Sequence, residues 1–140
     1  MLNELARGGI GNVRLARGDA VEILSERVPD ASLDAVLLIF PDPWPKTRHH
    51  KRRLVQPAFA ALVCSKLAPG GRFQLATDWE PYAEHMLEVL GAVPGLTNSH
   101  GPGRFAPRPL DRPRTKFERR GEGLGHRIRD LVYERSPGSD

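Results

Sequence analysis

One carboxylate, Asp42, stands between Pro41 and Pro43, and Trp44, Pro45, Lys46 and Thr47 come after it. After Thr47 come six basic or potentially basic residues, Arg48, His49, His50, Lys51, Arg52 and Arg53, with no acid among them. A fixed carboxylate can stabilise positive charge that develops on a substrate. Arginine's planar fork suits phosphate, and contacts of that kind position a nucleic acid without reading its sequence. The stretch reads as the place where an anionic polymer meets a reactive centre. An aspartate between prolines is also an ordinary turn residue; the position at a strand end and the basic surroundings favour chemistry.

The apolar run Ala35-Val36-Leu37-Leu38-Ile39-Phe40 carries the loop. It is short and rich in branched side chains, so it reads as a buried strand over 33–40. The prolines end the strand and stiffen the loop beyond it. Open α/β sheets bind ligands at the carboxyl ends of their strands. Upstream, 2–6 read as the tail of a helix, 12–17 alternate as a short strand, and a helix after Asp19 turns Val21, Leu24 and Val28 inward until Pro29. Downstream, Pro57 opens a helix with Phe59, Leu62, Val63 and Leu67 facing the core. Ala68-Pro69-Gly70-Gly71 is expected to stop that helix. A strand then ends at Asp78, a helix runs over 81–90, a short strand falls near 96–99, a helix spans about 116–124 and a last strand spans 128–134. Residues 136–140 read as a disordered tail. Strand and helix alternate, which predicts an α/β fold with a mainly parallel sheet and an antiparallel last strand.

At 140 residues the chain holds one domain at most. One cysteine, Cys64, excludes an intrachain disulfide and a multi-cysteine zinc site, and its place inside a helix suits a small apolar filler. No apolar stretch is long enough to span a bilayer, so a soluble cytoplasmic protein is expected. The net charge of +4 is modest, and composition alone favours a solvated arginine-rich surface, but the cations bunch at 46–53 and 104–120, and bunched charge reads as a nucleic-acid footprint.

The stretch Pro41-Asp42-Pro43-Trp44-Pro45-Lys46-Thr47-Arg48-His49-His50-Lys51-Arg52-Arg53 resembles the signature of the bacterial tRNA (guanine-N7-)-methyltransferases. Two later stretches resemble the same family: Thr77-Asp78-Trp79-Glu80-Pro81-Tyr82-Ala83, and Thr115-Lys116-Phe117-Glu118-Arg119-Arg120-Gly121 with Leu124-Gly125-His126. They come in the family's order, and the likeness covers nearly the whole chain. It implies a Rossmann-like class I methyltransferase fold, S-adenosylmethionine as cosubstrate, and tRNA as partner, methylated at a variable-loop guanine. By resemblance the front of the domain is absent: two central strands, the glycine-rich cofactor loop and the acid that takes the ribose. Gly8-Gly9-Ile10-Gly11 precedes a strand and so cannot be that loop. Residues 1–135 are then the C-terminal portion of a single methyltransferase domain, a fragment expected to bind cofactor poorly when folded alone.

The resemblance also implies roles. Asp42 is the catalytic carboxylate, close to both cofactor and guanine, and Asp19 lies by the cofactor's adenine. Lys46, Asp78, Thr115, Lys116, Phe117 and Glu118 bind substrate. Arg48, Lys51, Arg52 and Arg53 hold the RNA backbone, and Arg112, Arg114, Arg119 and Arg120 extend the track. Guanine N7 offers an in-plane lone pair and no proton, so the reaction needs alignment rather than a base, and it needs no metal. Other readings remain at several positions. Trp44 either anchors the loop or stacks on a base. His49 and His50 either join the cationic run at lower pH or take no part. Asp78 also fits a helix N-cap, Asp19 with Glu22 fits another, and Thr115 with Glu118 fits a capping box. Two alternatives stand beside the enzyme: a non-catalytic tRNA-binding fragment, and an amino-group nucleic-acid methyltransferase. The second is weak, because its D-P-P-[WYF] loop is one residue out of phase with Pro41-Asp42-Pro43-Trp44.

Overall fold

The computed structural model describes residues 12–107 and 128–137. In chain order the elements are α1 (Ala20–Arg27), β1 (Leu33–Ile39), a 3-10 helix (Thr47–Arg52), α2 (Pro57–Lys66), β2 (Leu67–Thr77), α3 (Glu80–Gly91), β3 (Leu96–Asn98) and β4 (Arg129–Arg135). The expected helices over 2–6 and 116–124, and the Thr115–Glu118 motif, lie outside the described residues.

The four strands form one sheet in the order β1-β2-β4-β3. β1 and β2 are parallel, joined through α2, and β4 runs antiparallel to both β2 and β3. The antiparallel last strand is as the sequence indicates. Among the described strands, however, antiparallel pairs outnumber the one parallel pair. Alternation along the strands sorts the two faces. Val36 pairs with Phe73 and Leu38 with Leu75, while Phe73 pairs with Tyr133 and Leu75 with Leu131. These side chains share a core with Phe59 and Val63 of α2 and Tyr82, Met86 and Leu90 of α3. The intervening row, Leu37, Gln74 and Val132, belongs to the other face.

Two expectations fail for physical reasons. Residues 12–17 form no strand; Val13 and Leu15 are exposed. Alternation makes a strand only where a ladder partner satisfies the backbone, and among the described residues none meets this segment. The second failure concerns Ala68-Pro69-Gly70-Gly71, which lies inside β2 rather than ending α2. The helix stops earlier because other segments take its last carbonyls. The Ala31 N–H donates to Ser65 O at 2.9 Å and the Ser32 N–H to Lys66 O at 2.9 Å, while the Arg135 guanidinium donates to the carbonyls of Ser65 and Leu67. The Pro-Gly-Gly stretch is absorbed as an irregularity in the ladder. Leu33 pairs with Leu67 and Ala35 with Arg72, so two steps along β1 answer five along β2. Gly71 is required there, since a Cβ would sit 2.8 Å from Ala68 O and 3.0 Å from Leu33 O.

α1 begins as expected. Asp19 Oδ1 accepts from the N–H groups of Val21, at 2.8 Å, and Glu22, at 3.3 Å. Its apolar side is only partly covered: Ile23 and Leu24 are half-buried and Val21 is exposed.

Candidate functional site

β1 and β2 end side by side. Ile39 pairs with Ala76, and the Phe40 N–H donates to Ala76 O at 2.8 Å. Asp42 and Asp78 therefore both lie just beyond the carboxyl ends of adjacent parallel strands, where this class of sheet binds ligands. Asp42 is exposed, and its Oδ1 accepts the Trp44 N–H at 3.2 Å. The turn role and a chemical role are thus compatible, because the second carboxylate oxygen is not needed for the turn.

The loop after Asp42 is folded on itself. The expected irregular stretch contains the 3-10 helix, with the His49 N–H donating to Lys46 O at 2.8 Å. The Arg52 guanidinium lies 5.0 Å over the Trp44 ring, and His49 meets that ring edge-on at 5.6 Å. Trp44 is half-buried among these contacts, which are those of a loop anchor. His50 Nε2 lies 3.2 Å from Pro45 O, and Gln56 Nε2 donates to His50 O at 2.9 Å. His50 is committed to the loop's own geometry. Lys46, Arg48, Lys51 and Arg52 remain exposed.

Arg53 is not among these exposed cations. Only 4% of it is exposed, its Nε donates to Pro43 O at 2.7 Å, and its guanidinium lies 5.0 Å over the Tyr82 ring. The expectation that it holds RNA backbone is therefore corrected. A buried side chain cannot reach a phosphate outside the protein, and only the tertiary contact with Tyr82 decides its direction. Burial lowers its pKa from the usual guanidinium range. Tyr82 shifts the other way: burial raises its phenol above the ordinary value, the Val55 N–H and the Arg53 charge oppose this, and the Asp42 charge adds a small upward push. Tyr82 thus sits within electrostatic reach of both Arg53 and Asp42.

The cap reading of Asp78 is also corrected. The cap position of α3 is Trp79, with no side-chain cap, and Thr77 Oγ1 accepts the Trp79 N–H at 3.2 Å. Glu80, from the same motif, is taken by Arg129 Nη2 at 3.2 Å. Asp19 lines a polar hollow with Arg17, Glu22, Glu26 and Arg27; a separate apolar hollow of about 340 Å³, lined in part by Gly18, Ala20, Ile23, Val36 and Leu38, shares Gly18 and Ile23 with it. Among the described residues, no group of three or more His, Cys, Asp or Glu is arranged to hold a metal ion. No described helix is long and apolar enough to cross a membrane. Sequence reasoning missed the Arg53–Tyr82 contact, since nothing local to either residue signals it.

The fold resembles two solved structures of different chemistry. A SAM-dependent O-methyltransferase from Thermotoga maritima matches with a TM-score of 0.53 at 19% identity, over 99% of this chain and 45% of its own. The [4+2]-cyclase SpnF matches with a TM-score of 0.56 at 15% identity, over 98% and 61%. At such identities the likeness speaks for the fold alone. An α/β sheet of this order, with acids at its strand ends, is a Rossmann-like fold of the methyltransferase type. A family described as "Putative methyltransferase" matches residues 1–131. A tRNA (guanine-N(7)-)-methyltransferase from Pseudomonas aeruginosa is 62% identical over 135 residues, and one from Stutzerimonas stutzeri is 59% identical over the same length. The chain belongs to the tRNA (guanine-N(7)-)-methyltransferase family. These alignments cover 96% of this chain but 55% and 57% of the relatives, so the chain spans about half the length of the curated relatives it matches.

Proposed function

We propose that this chain carries the guanine- and tRNA-facing part of an enzyme that methylates N7 of guanine in tRNA, in the variable loop, as a cytoplasmic activity. The observation that carries the reading is the exposed Asp42 carboxylate at the end of β1, beside the exposed cations Lys46, Arg48, Lys51 and Arg52. The names of the relatives support it. Residues 1–135 are read as the C-terminal portion of one methyltransferase domain.

S-Adenosylmethionine fits one part of the residues present. The apolar hollow suits a purine, and Asp19, which lines the polar hollow sharing Gly18 and Ile23 with it, keeps one carboxylate oxygen outside the helix cap, able to accept from an exocyclic amine. Among the described residues no glycine-rich turn leads from a strand into a helix, so no residue is assigned to the cofactor's methionine end. When bound, the cosubstrate supplies an electrophilic methyl group on a sulfonium.

The chain's own residues then have distinct tasks. Lys46, Arg48, Lys51 and Arg52 hold the phosphate backbone and bring one guanine to the strand ends. Asp42, fixed by the Trp44 N–H, offers negative charge where the purine becomes cationic, and it accepts from ring N–H groups. It acts as no base, because N7 has no proton to lose. Asp78, on the neighbouring strand end, contacts the same substrate, and Thr115 to Glu118 complete the substrate contacts.

The test incubates the chain with unmodified tRNA and labelled S-adenosylmethionine, then measures retained tRNA and 7-methylguanosine. The expected result is tRNA binding, with N7 methylation lost in Asp42→Ala while binding stays within about threefold of wild type. Methylation that persists in Asp42→Ala removes the assignment. Binding of tRNA with no methyl incorporation establishes the second reading, a non-catalytic tRNA-binding fragment.

A further inference from the structure

We propose that Arg53 is the positioning residue of the Asp42 loop, held inside the protein to fix the direction of the carboxylate rather than to touch RNA. This rests on the reading that Asp42 faces the reacting guanine.

The loop is under backbone strain on both sides of Asp42. Phe40 has φ +53° and Trp44 has φ +43°, in the left-handed region that L side chains avoid. Such conformations persist only where surrounding contacts over-determine them, and they cluster at ligand sites. Asp42 supplies one restraint through the Trp44 N–H. Arg53 supplies the other: its Nε holds the carbonyl of Pro43, the residue between the two. That bond fixes the peptide plane next to the carboxylate.

Arg53 is itself held from two directions. Its own N–H donates to His50 O at 3.1 Å, which closes the 3-10 helix. Its guanidinium lies on the Tyr82 ring, and Tyr82 Oη accepts the Val55 N–H at 3.2 Å. The chain Pro43–Arg53–Tyr82 therefore connects the loop to α3. Arg53 Nη2 is buried with no hydrogen-bond partner among the described residues. An unmade bond on a buried guanidinium is costly, so core filling alone does not account for an arginine here. What the guanidinium adds is the carbonyl it holds.

The test uses the full 140-residue chain in a Trp79→Phe background, which leaves Trp44 as its one tryptophan. Arg53→Gln and Arg53→Lys are compared with Arg52→Gln, each below its own melting temperature by circular dichroism. Three quantities are read: acrylamide quenching of Trp44, the salt slope of tRNA binding, and the turnover and KM of methyl transfer. Arg53→Gln is expected to raise the quenching constant at least about twofold while the salt slope stays at the wild-type value. Turnover falls about a hundredfold with KM for tRNA unchanged, as expected when reacting groups move by about 1 Å. Arg53→Lys recovers part of the quenching protection, because an ammonium still reaches a carbonyl. Arg52→Gln instead lowers the slope by about 0.7 to 0.9. The proposal is overturned if Arg53→Gln lowers the slope as Arg52→Gln does, or if Trp44 quenching stays at wild type in the folded variant. An absence of methyl transfer in the wild-type chain counts against the functional reading alone, since the quenching and slope measurements need no turnover.

Discussion

Tyr82 Oη accepts the N–H of Val55 at 3.2 Å across 27 residues of sequence. The same Val55 offers its carbonyl to His85 Nε2 at 2.8 Å, so α3 grips both sides of one residue just after the basic turn.

Tyr82→Phe keeps the ring but leaves a buried N–H unpaired. The expected cost is about 1 kcal/mol, seen as a melting temperature lower by about 3 °C. The pH profile gives a second reading. Burial raises the Tyr82 phenol pKa above 10.0 in the folded state. A raised folded pKa means stability that is intact below the unfolded value, near 10, and lost as pH climbs through the folded value. Wild type should therefore weaken above about pH 10, where the unfolded tyrosine ionises first. Tyr82→Phe should show a shallower alkaline fall, and denaturant melts between neutral pH and that region measure it. Tyr133 and Cys64, likewise raised by burial, add to the alkaline fall in both proteins.

Arg52 has two contacts to lose: the Trp44 ring and, on the proposed reading, a phosphate. Arg52→Gln and Arg48→Gln should each reduce the log–log salt slope of tRNA binding by about 0.7 to 0.9. Arg52→Gln should also cost roughly 0.5–1 kcal/mol of stability through the lost cation–π contact. Filter binding across a salt series, with thermal melts alongside, separates the two effects. Equal slopes in all three proteins would move the RNA surface to another face.

Cys64 is buried on α2, and burial raises its thiol pKa above the ordinary 9.0. The thiolate is the reactive form, so Cys64 should resist a disulfide reagent in native buffer and react fully in denaturant. Labelling at the native rate of a free thiol would contradict the burial.

Gln74 is 2% exposed, and both polar atoms of its side chain lack a hydrogen-bond partner among the described residues. An unpaired buried amide costs more than an apolar group of similar volume. Gln74→Leu should raise stability by about 1 kcal/mol, or about 3 °C in melting temperature. A lower melting temperature would mean that the amide is satisfied in solution.

Local chemistry made much of the fold legible. The run 35–40 gave a strand because branched side chains of that length suit little else. Asp19 gave a helix start because its carboxylate can reach the N–H groups two and three residues on. Pro57 gave another because its missing N–H is no loss in a first turn. The failures share one cause. Residues 12–17 alternate like a strand, but pairing requires a partner that local sequence does not contain. Gly70-Gly71 looks like a helix stop, but the Ala31 and Ser32 N–H groups and the Arg135 guanidinium end the helix first.

The sequence by itself determined that an aspartate, a tryptophan and a bunch of cations would meet at the end of one strand, because prolines and apolar runs act over a few residues. The division of labour inside that bunch was decided only by tertiary structure. Arg52 and Arg53 are adjacent and chemically identical, yet one stays exposed on Trp44 and the other is buried on Tyr82. Successive side chains of a turning chain point in different directions. Which direction leads to water, and which into the core, depends on a helix that begins 27 residues further along.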